Sequence, residues 1–476
     1  MRRGVYLLLS TLALFAGPLC AAQGLPPPLM LALENARITP NAVSVWVQAV
    51  DDKTPSLSLN AEQPMNPASV MKLVTAFAAL ERLGPAYTWS TQLASSATVS
   101  KGVLAGDVYL VGGADPVLDQ ERVSKLLRRL RGLGIERISG DIVLDASVLR
   151  LPAHDPDAFD GRGLRPYNSG PYGLLMHYNT LQLALFPGHQ ANEAVTVVAE
   201  PALAGVLIDN RLHTSNAACD VWYRDLEATL EPGRRLVLSG SLPAACGPRT
   251  WSAAPLPPEE FGTALVATLW SELGGHLDGQ VRNGITPVGT RTLLTHDSPP
   301  LADIIRDMNK WSSNVIARQL LTSLAATNPS LAPETSDMVV EGARIAVESL
   351  ARVGLDTRAL VIENGSGLSR MERVSADMLG HLLLLAWQRP WMPEYISALP
   401  VAGVDGTARR RLRDSAASGH AHIKTGSLNG VRAIAGYVLD RNGRRHVVVM
   451  MVNHAEAAAS AAAQDALLEW IWAGGL

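Results

Sequence analysis

The chain is short of cysteine and of aromatic residues: three Cys, five Phe and 5% aromatics in 476 residues. Three cysteines exclude a disulfide-dense scaffold, and no C-x-x-C is present, so neither a zinc ribbon nor a dithiol redox motif is expected. Charge of one sign is lacking too. Lys and Arg number 41 against 44 Asp and Glu, a net charge of −3, which leaves no basic footprint for nucleic acid. Arg409-Arg410-Arg411 is the longest basic run and reads as a solvated surface stretch. No histidine is followed by glutamate, so the H-E-x-x-H zinc helix is absent, and no serine sits in G-x-S-x-G. His420 and His422 alternate along one strand face without a third ligand, so no metal and no cofactor is expected. Beyond the N-terminal segment, no run is long and apolar enough to span a bilayer.

The N-terminus has the composition of a secretory signal. Arg2 and Arg3 precede a mostly apolar core over residues 5–15, and Ala22 supplies a small residue at −1 with Cys20 at −3. An uncleaved anchor is the alternative, but the core is shorter than the roughly 20 residues a span needs. A lipid-modified Cys20 is a further alternative, and Gly17-Pro18-Leu19 lacks a small residue directly before the cysteine. Cleavage leaves Cys219 and Cys246. In an oxidising compartment that pair reads as a disulfide, with two separate thiols as the alternative.

The length prior suggests roughly three domains, and 47% apolar residues suffice for large cores. Residues 43–49 and 57–60 alternate apolar with polar around Asp51-Asp52-Lys53-Thr54-Pro55, a hairpin pattern. Asn66 and Pro67 are suited to the N-cap and first position of a helix over residues 69–83, which Gly84 can end. From about residue 89 to 285 the texture becomes strand-rich, with short β-like runs at 106–111, 141–144, 195–198 and 235–238 and one helix at 121–133. Helical texture returns at 301–309, after 314 and at 336–353. Residues 433–439 and 446–452 flank Asn442-Gly443, a strong hairpin signal, and residues 455–472 are Ala-rich and helical. The predicted fold is mixed α/β (α+β): an antiparallel sheet covered by helices, built from both chain ends and interrupted by a strand-rich insertion. The predicted division is 1–22 signal peptide, 23–88 first part of the main domain, 89–285 insertion and 286–476 second part.

Three short motifs carry the chemistry: Ser69-Val70-Met71-Lys72, Ser312-Ser313-Asn314 and Lys424-Thr425-Gly426. Serine is a weak nucleophile until a base takes its proton. Positions i and i+3 share a helix face, so Lys72 lies beside Ser69. A lysine is a base only when neutral, and apolar Met71, Leu73 and Val74 disfavour its charge. Ser312 and Asn314 add a hydroxyl that can relay a proton and an amide that can orient Lys72. Gly426 lets a substrate backbone approach an edge strand, and Lys424 and Thr425 can hold a carboxylate. The N–H groups of Ser69 and Ser427 can form an oxyanion hole. Taken singly, each motif is as well explained by a surface pair, a helix cap or a turn.

In this order, after a signal peptide, the three motifs resemble the active-site set of the penicillin-recognising acyl-serine enzymes. The 243 residues from Ser69 to Ser312 (312 − 69) resemble one branch, the low-molecular-mass class C penicillin-binding proteins, D-Ala-D-Ala carboxypeptidase/endopeptidases of peptidase family S13. Gly365-Ser366-Gly367-Leu368-Ser369-Arg370 matches a stretch of that family without a break. The resemblance implies a transpeptidase-like domain of the penicillin-binding-protein and β-lactamase type. It implies acylation at Ser69 with Lys72 as base, and assistance from Ser312, Asn314, Lys424, Thr425 and Gly426. It also implies that Arg370 lies beside a pocket for a diaminopimelate side chain, together with an acid from the insertion. Asp160 is the first candidate for that acid, with Asp155 and Asp157 as rivals. The implied activity is periplasmic cleavage of peptidoglycan stem peptides, with β-lactams acylating the same serine. The rival readings are a β-lactamase or esterase with the same motifs, and a non-catalytic wall-binding scaffold.

Overall fold

The computed structural model describes residues 24–332 and 335–475, so the expected signal peptide lies outside the described residues. The two ends of the chain share one five-stranded antiparallel sheet. Its order is Ala421–Leu428, Val431–Leu439, Arg445–Asn453, Val43–Ala49, Leu57–Leu59. The Asn442-Gly443 hairpin is present, with Gly443 at φ 83° and Val438 opposite His446. Val43–Ala49 lies between two strands and is buried along its whole length, its alternation notwithstanding. Its polar residues are absorbed locally: Ser44 Oγ donates to Asn60 O at 3.0 Å and Gln48 Nε2 to Asp52 O at 2.8 Å.

Helices cover both faces of this sheet. On one side, Met71–Leu83 sits at the centre of a core shared with Leu301–Trp311, Asn314–Ala326, Met338–Arg352 and Ala376–Trp387. On the other, Pro27–Asn35 and Ala461–Trp472 pack on the sheet with the opposite side chains of the same strands. Three layers result, as expected when a sheet buries both faces under helices.

Residues between the two halves form a separate core built on smaller sheets. One five-stranded sheet runs Val281–Asn283, Ile142–Asp145, Val108–Val111, Ser90–Ala94, Thr292–Asp297. Thr292–Asp297 pairs antiparallel with Ser90–Ala94, so this sheet extends past residue 285, where the sequence pattern closed the insertion. The reason is pairing that the sequence does not show: the last strand returns to the edge of the first. Cys219 and Cys246 are joined in a disulfide within this part, their Cα atoms 4.9 Å apart. Among the described residues, no helix is long and apolar enough to cross a membrane.

Candidate active site

Ser69 is not in the first turn of an α-helix as the sequence suggested. It sits in a 3-10 turn, Ala68–Val70, that runs directly into Met71–Leu83. Asn66 is not the N-cap of this helix as the sequence suggested; its Oδ1 accepts from Ala68 N at 2.9 Å, in a turn that precedes the 3-10 segment. Ala68 is left-handed, at φ 46°, which costs a residue with a Cβ about 1–2 kcal/mol. Neighbours hold the turn in this shape. Asn66 Nδ2 donates to Ser369 O at 2.8 Å, and Asn453 brackets Asn66 through both its N–H and its carbonyl. Lys72 still falls one turn beyond Ser69, as the spacing requires.

Lys72 is fully buried, and its Nζ meets three oxygens. They are Ser69 Oγ at 3.0 Å, Asn314 Oδ1 at 2.7 Å and the Ser366 carbonyl. Asn314 Nδ2 donates to Tyr167 O at 3.3 Å, which orients the amide with its oxygen toward the lysine. Two of the three partners can only accept. A neutral amine has two N–H bonds and one lone pair. Its N–H bonds go to Asn314 and Ser366, and the lone pair is left facing Ser69, the one partner that can donate. Burial pushes the Lys72 pKa well below that of a free lysine, the Lys424 charge lowers it further, and Glu372 opposes both. The arrangement can take a proton from the serine hydroxyl.

Ser312 closes the helix Leu301–Trp311 in a left-handed conformation, φ 59° and ψ 38°. Ser313 then caps the next helix, its hydroxyl accepting from Ile316 N, so Asn314 becomes the first residue of Asn314–Ala326. This tight break aims Ser312 and Asn314 at different lysines. Lys424 Nζ donates to Ser312 Oγ at 2.9 Å and to Thr425 O at 2.8 Å. Lys424 is also fully buried, and burial lowers its pKa to about 7.

Lys424, Thr425, Gly426 and Ser427 lie on Ala421–Leu428, an outer strand of the main sheet. Thr425 Oγ1 is 2.9 Å from Thr407 Oγ1, and Ser427 is exposed. Gly426 has a role the sequence left partly hidden. A Cβ there would stand 2.5 Å from Pro67 O and 3.1 Å from Ser69 N. The missing side chain therefore lets the strand close on the serine turn itself.

The stretch 363–372 forms a wall that the sequence reading used only for Arg370. Gly367, at φ 82°, lies so close to the turn that a Cβ would be 1.9 Å from Ala68 O. Thr75 Oγ1 donates to Gly365 O at 2.7 Å. The Ser366 carbonyl on Lys72 had no sequence signal, because a backbone oxygen has no letter of its own.

Arg370 is exposed, lies over the Phe159 ring at 5.1 Å and donates to Asn429 O at 3.0 Å. It lines a cavity of about 560 Å³ with Asp155, Phe159, Glu363 and Asn364. Asp160 does not line it. Its carboxylate is already occupied by Tyr167 Oη at 2.8 Å, Asn168 Nδ2 at 2.8 Å and Arg162 N at 3.2 Å. Partial burial raises its pKa, but these hydrogen bonds outweigh that and hold it below the usual range. Asp155, the rival candidate, is the inserted acid that faces the cavity. A larger hollow of about 920 Å³ lies on the other side of the same loop, against Leu226, Leu230 and Trp251, and touches none of the three motifs.

A helix-covered antiparallel sheet with this three-motif cleft defines the penicillin-binding-protein class of fold. The structure resembles the crystal structure of penicillin-binding protein 4 from Haemophilus influenzae, with a TM-score of 0.76 at 24% identity over 93% of this chain and 99% of that one. It also resembles the same protein complexed with a novel β-lactam, with a TM-score of 0.72 at 24% identity over 90% and 96%. The chain belongs to the D-Ala-D-Ala carboxypeptidase 3 (S13) family, whose model matches residues 29–473. It is 29% identical over 430 residues to the D-alanyl-D-alanine carboxypeptidase of Actinomadura sp. strain R39, covering 86% of this chain and 77% of that protein.

Proposed function

We propose that this member of the carboxypeptidase family is a serine-type D-Ala-D-Ala carboxypeptidase and DD-endopeptidase of the periplasm. Its substrates are peptidoglycan stem peptides, cleaved through an acyl-Ser69 intermediate. The observation that carries this reading is the fully buried Lys72 amine 3.0 Å from Ser69 Oγ, its pKa pushed well down by burial.

Ser69 Oγ attacks the carbonyl carbon of a D-Ala-linked bond and passes its proton to Lys72 Nζ. The N–H groups of Ser69 and Ser427 receive the negative charge on the carbonyl oxygen. The C–N bond breaks as the leaving nitrogen takes a proton from Ser312 Oγ, which is replaced from Lys424 Nζ. A water then attacks the ester. Its proton returns to Lys424 through Ser312, and Ser69 regains its own from Lys72. A Lys424 pKa of about 7 suits a group that gives and regains a proton near neutrality. The Thr425 hydroxyl, held by Thr407, receives the terminal carboxylate.

Benzylpenicillin should add its mass to the peptide containing Ser69, and Ser69→Ala should abolish the adduct. An adduct elsewhere with Ser69 unmodified removes the assignment. An adduct that turns over rapidly favours a β-lactamase instead.

Substrate choice rests on the cavity beside Arg370. A diaminopimelate side chain ends in a zwitterion, which Arg370 and Asp155 can meet with opposite charges. Arg370→Ala should slow hydrolysis of diaminopimelate-containing peptides by about tenfold or more. A simple acyl-D-Ala-D-Ala and benzylpenicillin should change little. Equal losses on all three would mean that Arg370 supports the serine turn rather than the side chain.

A further inference from the structure

Glu372 is fully buried and has no part in the chemistry above. Its Oε1 accepts three consecutive backbone N–H groups: Glu363 at 3.3 Å, Asn364 at 3.0 Å and Gly365 at 2.8 Å. Its Oε2 is buried without a partner. A buried carboxylate left half unpaired is costly, so some compensation is required. Burial raises the Glu372 pKa, the three backbone N–H groups oppose that shift, and buried Arg318 supplies the positive charge that Glu372 acts on.

The three N–H groups end one residue before Ser366, whose carbonyl holds Lys72. That residue is pinned on its other side as well. Asn364 Oδ1 accepts from Ser366 N at 3.0 Å and from Ser366 Oγ at 2.6 Å. Ser369 Oγ closes the turn by accepting from Met371 N at 2.8 Å and Glu372 N at 3.0 Å, while donating to Glu363 Oε2. Glu372 is thus the hub of a loop that reaches Lys72 through the Ser366 carbonyl.

We propose that Glu372 is a positioning residue for Lys72: it fixes the Ser366 carbonyl on the amine through residues 363–365. This rests on the reading of Lys72 as the base. The ionisable groups facing Lys72 are Lys424 from the outer strand, Arg318 from Asn314–Ala326 and Glu372 from the loop. The two cations favour the free amine. Glu372 alone favours the ammonium. Removing its charge therefore moves the acid limb of acylation to lower pH.

The test compares benzylpenicillin acylation of Ser69 across pH for the full chain, E372Q and E372A. The Gln variant keeps an acceptor for the three N–H groups and loses the charge. At the pH where the wild type runs at half its plateau, E372Q should run near its own full plateau, a relative gain of about twofold. E372A loses the acceptor, and its plateau should fall by about tenfold or more through misplacement of the amine. A wild-type plateau in E372A overturns the proposal. A lowered melting temperature with unchanged pH profiles also overturns it, since that is a structural role alone. A wild type that is not acylated at Ser69 instead removes the assignment of Lys72, and this inference with it.

Discussion

At the scale of single residues, the site depends on two lysines kept out of water. Lys424 shows the consequence for stability. Burial lowers its pKa to about 7 in the folded chain, whereas an unfolded lysine holds its proton up to about 10.4. Between those values the unfolded state binds the extra proton, so stability rises with pH across that window by up to about 1.4 kcal/mol per unit. Below about 7 both states are protonated, and the full cost of burying the ammonium is present. Lys72 is shifted in the same direction. Lys424→Met should therefore flatten the rise between pH 7 and 10 and stabilise the chain at pH 6. Urea unfolding at pH 6, 7.5 and 9 measures this, and an unchanged slope would assign the proton to another group. The left-handed Ser312 and Ala68 add strain at the same centre.

At the scale of elements, the shape of the site depends on how closely three backbones approach. The serine turn lies between the outer strand Ala421–Leu428 and the 363–372 loop, and on each side a glycine permits the close approach. Gly426→Ala places a carbon 2.5 Å from a carbonyl oxygen that a rigid turn cannot easily move. The strand must retreat from Ser69. We expect a loss of about 1–3 kcal/mol in stability and a fall of about tenfold or more in penicillin acylation. Thermal melts and stopped-flow acylation check both. An intact acylation rate would mean that the strand can shift without cost to the oxyanion site.

At the scale of the molecule, one helix makes a large share of the polar contacts between the insertion and the main unit. Asn314–Ala326 is buried along most of its length, including Arg318, Gln319, Thr322 and Ser323. Arg318 Nη1 donates to Asn168 O and Ser169 O, and Gln319 Nε2 to Ala114 O and Tyr172 O. The same helix begins with Asn314 on Lys72, so the inserted loop and Lys72 share a support. The disulfide lies apart from this contact. Closing a separation of 27 residues contributes about 3.5 kcal/mol on the chain-entropy model. Replacing Cys219 and Cys246 with serine should lower the unfolding midpoint of the insertion and leave acylation at 25 °C within about twofold. A large loss of acylation would show that the two parts are coupled through the bridge.

The sequence by itself determined the three motifs, their spacing and most of the elements. Ser69 and Lys72 are one helical turn apart whatever else the chain does, and Asn442-Gly443 between two apolar runs forms its hairpin from local preference alone. These are short-range facts, carried by spacing and by residue type. Only the tertiary structure decided the rest, because it depends on contacts between distant segments. The return of Thr292–Asp297 to Ser90–Ala94 has no local signature. Nor does the placement of Asp160 and Asp155: Tyr167 and Asn168 occupy one carboxylate, and the other lies beside the cavity. The Ser366 carbonyl and the buried Glu372 were equally illegible. A backbone oxygen carries no sequence label, and a glutamate between Met371 and Arg373 reads as surface until three N–H groups converge on it.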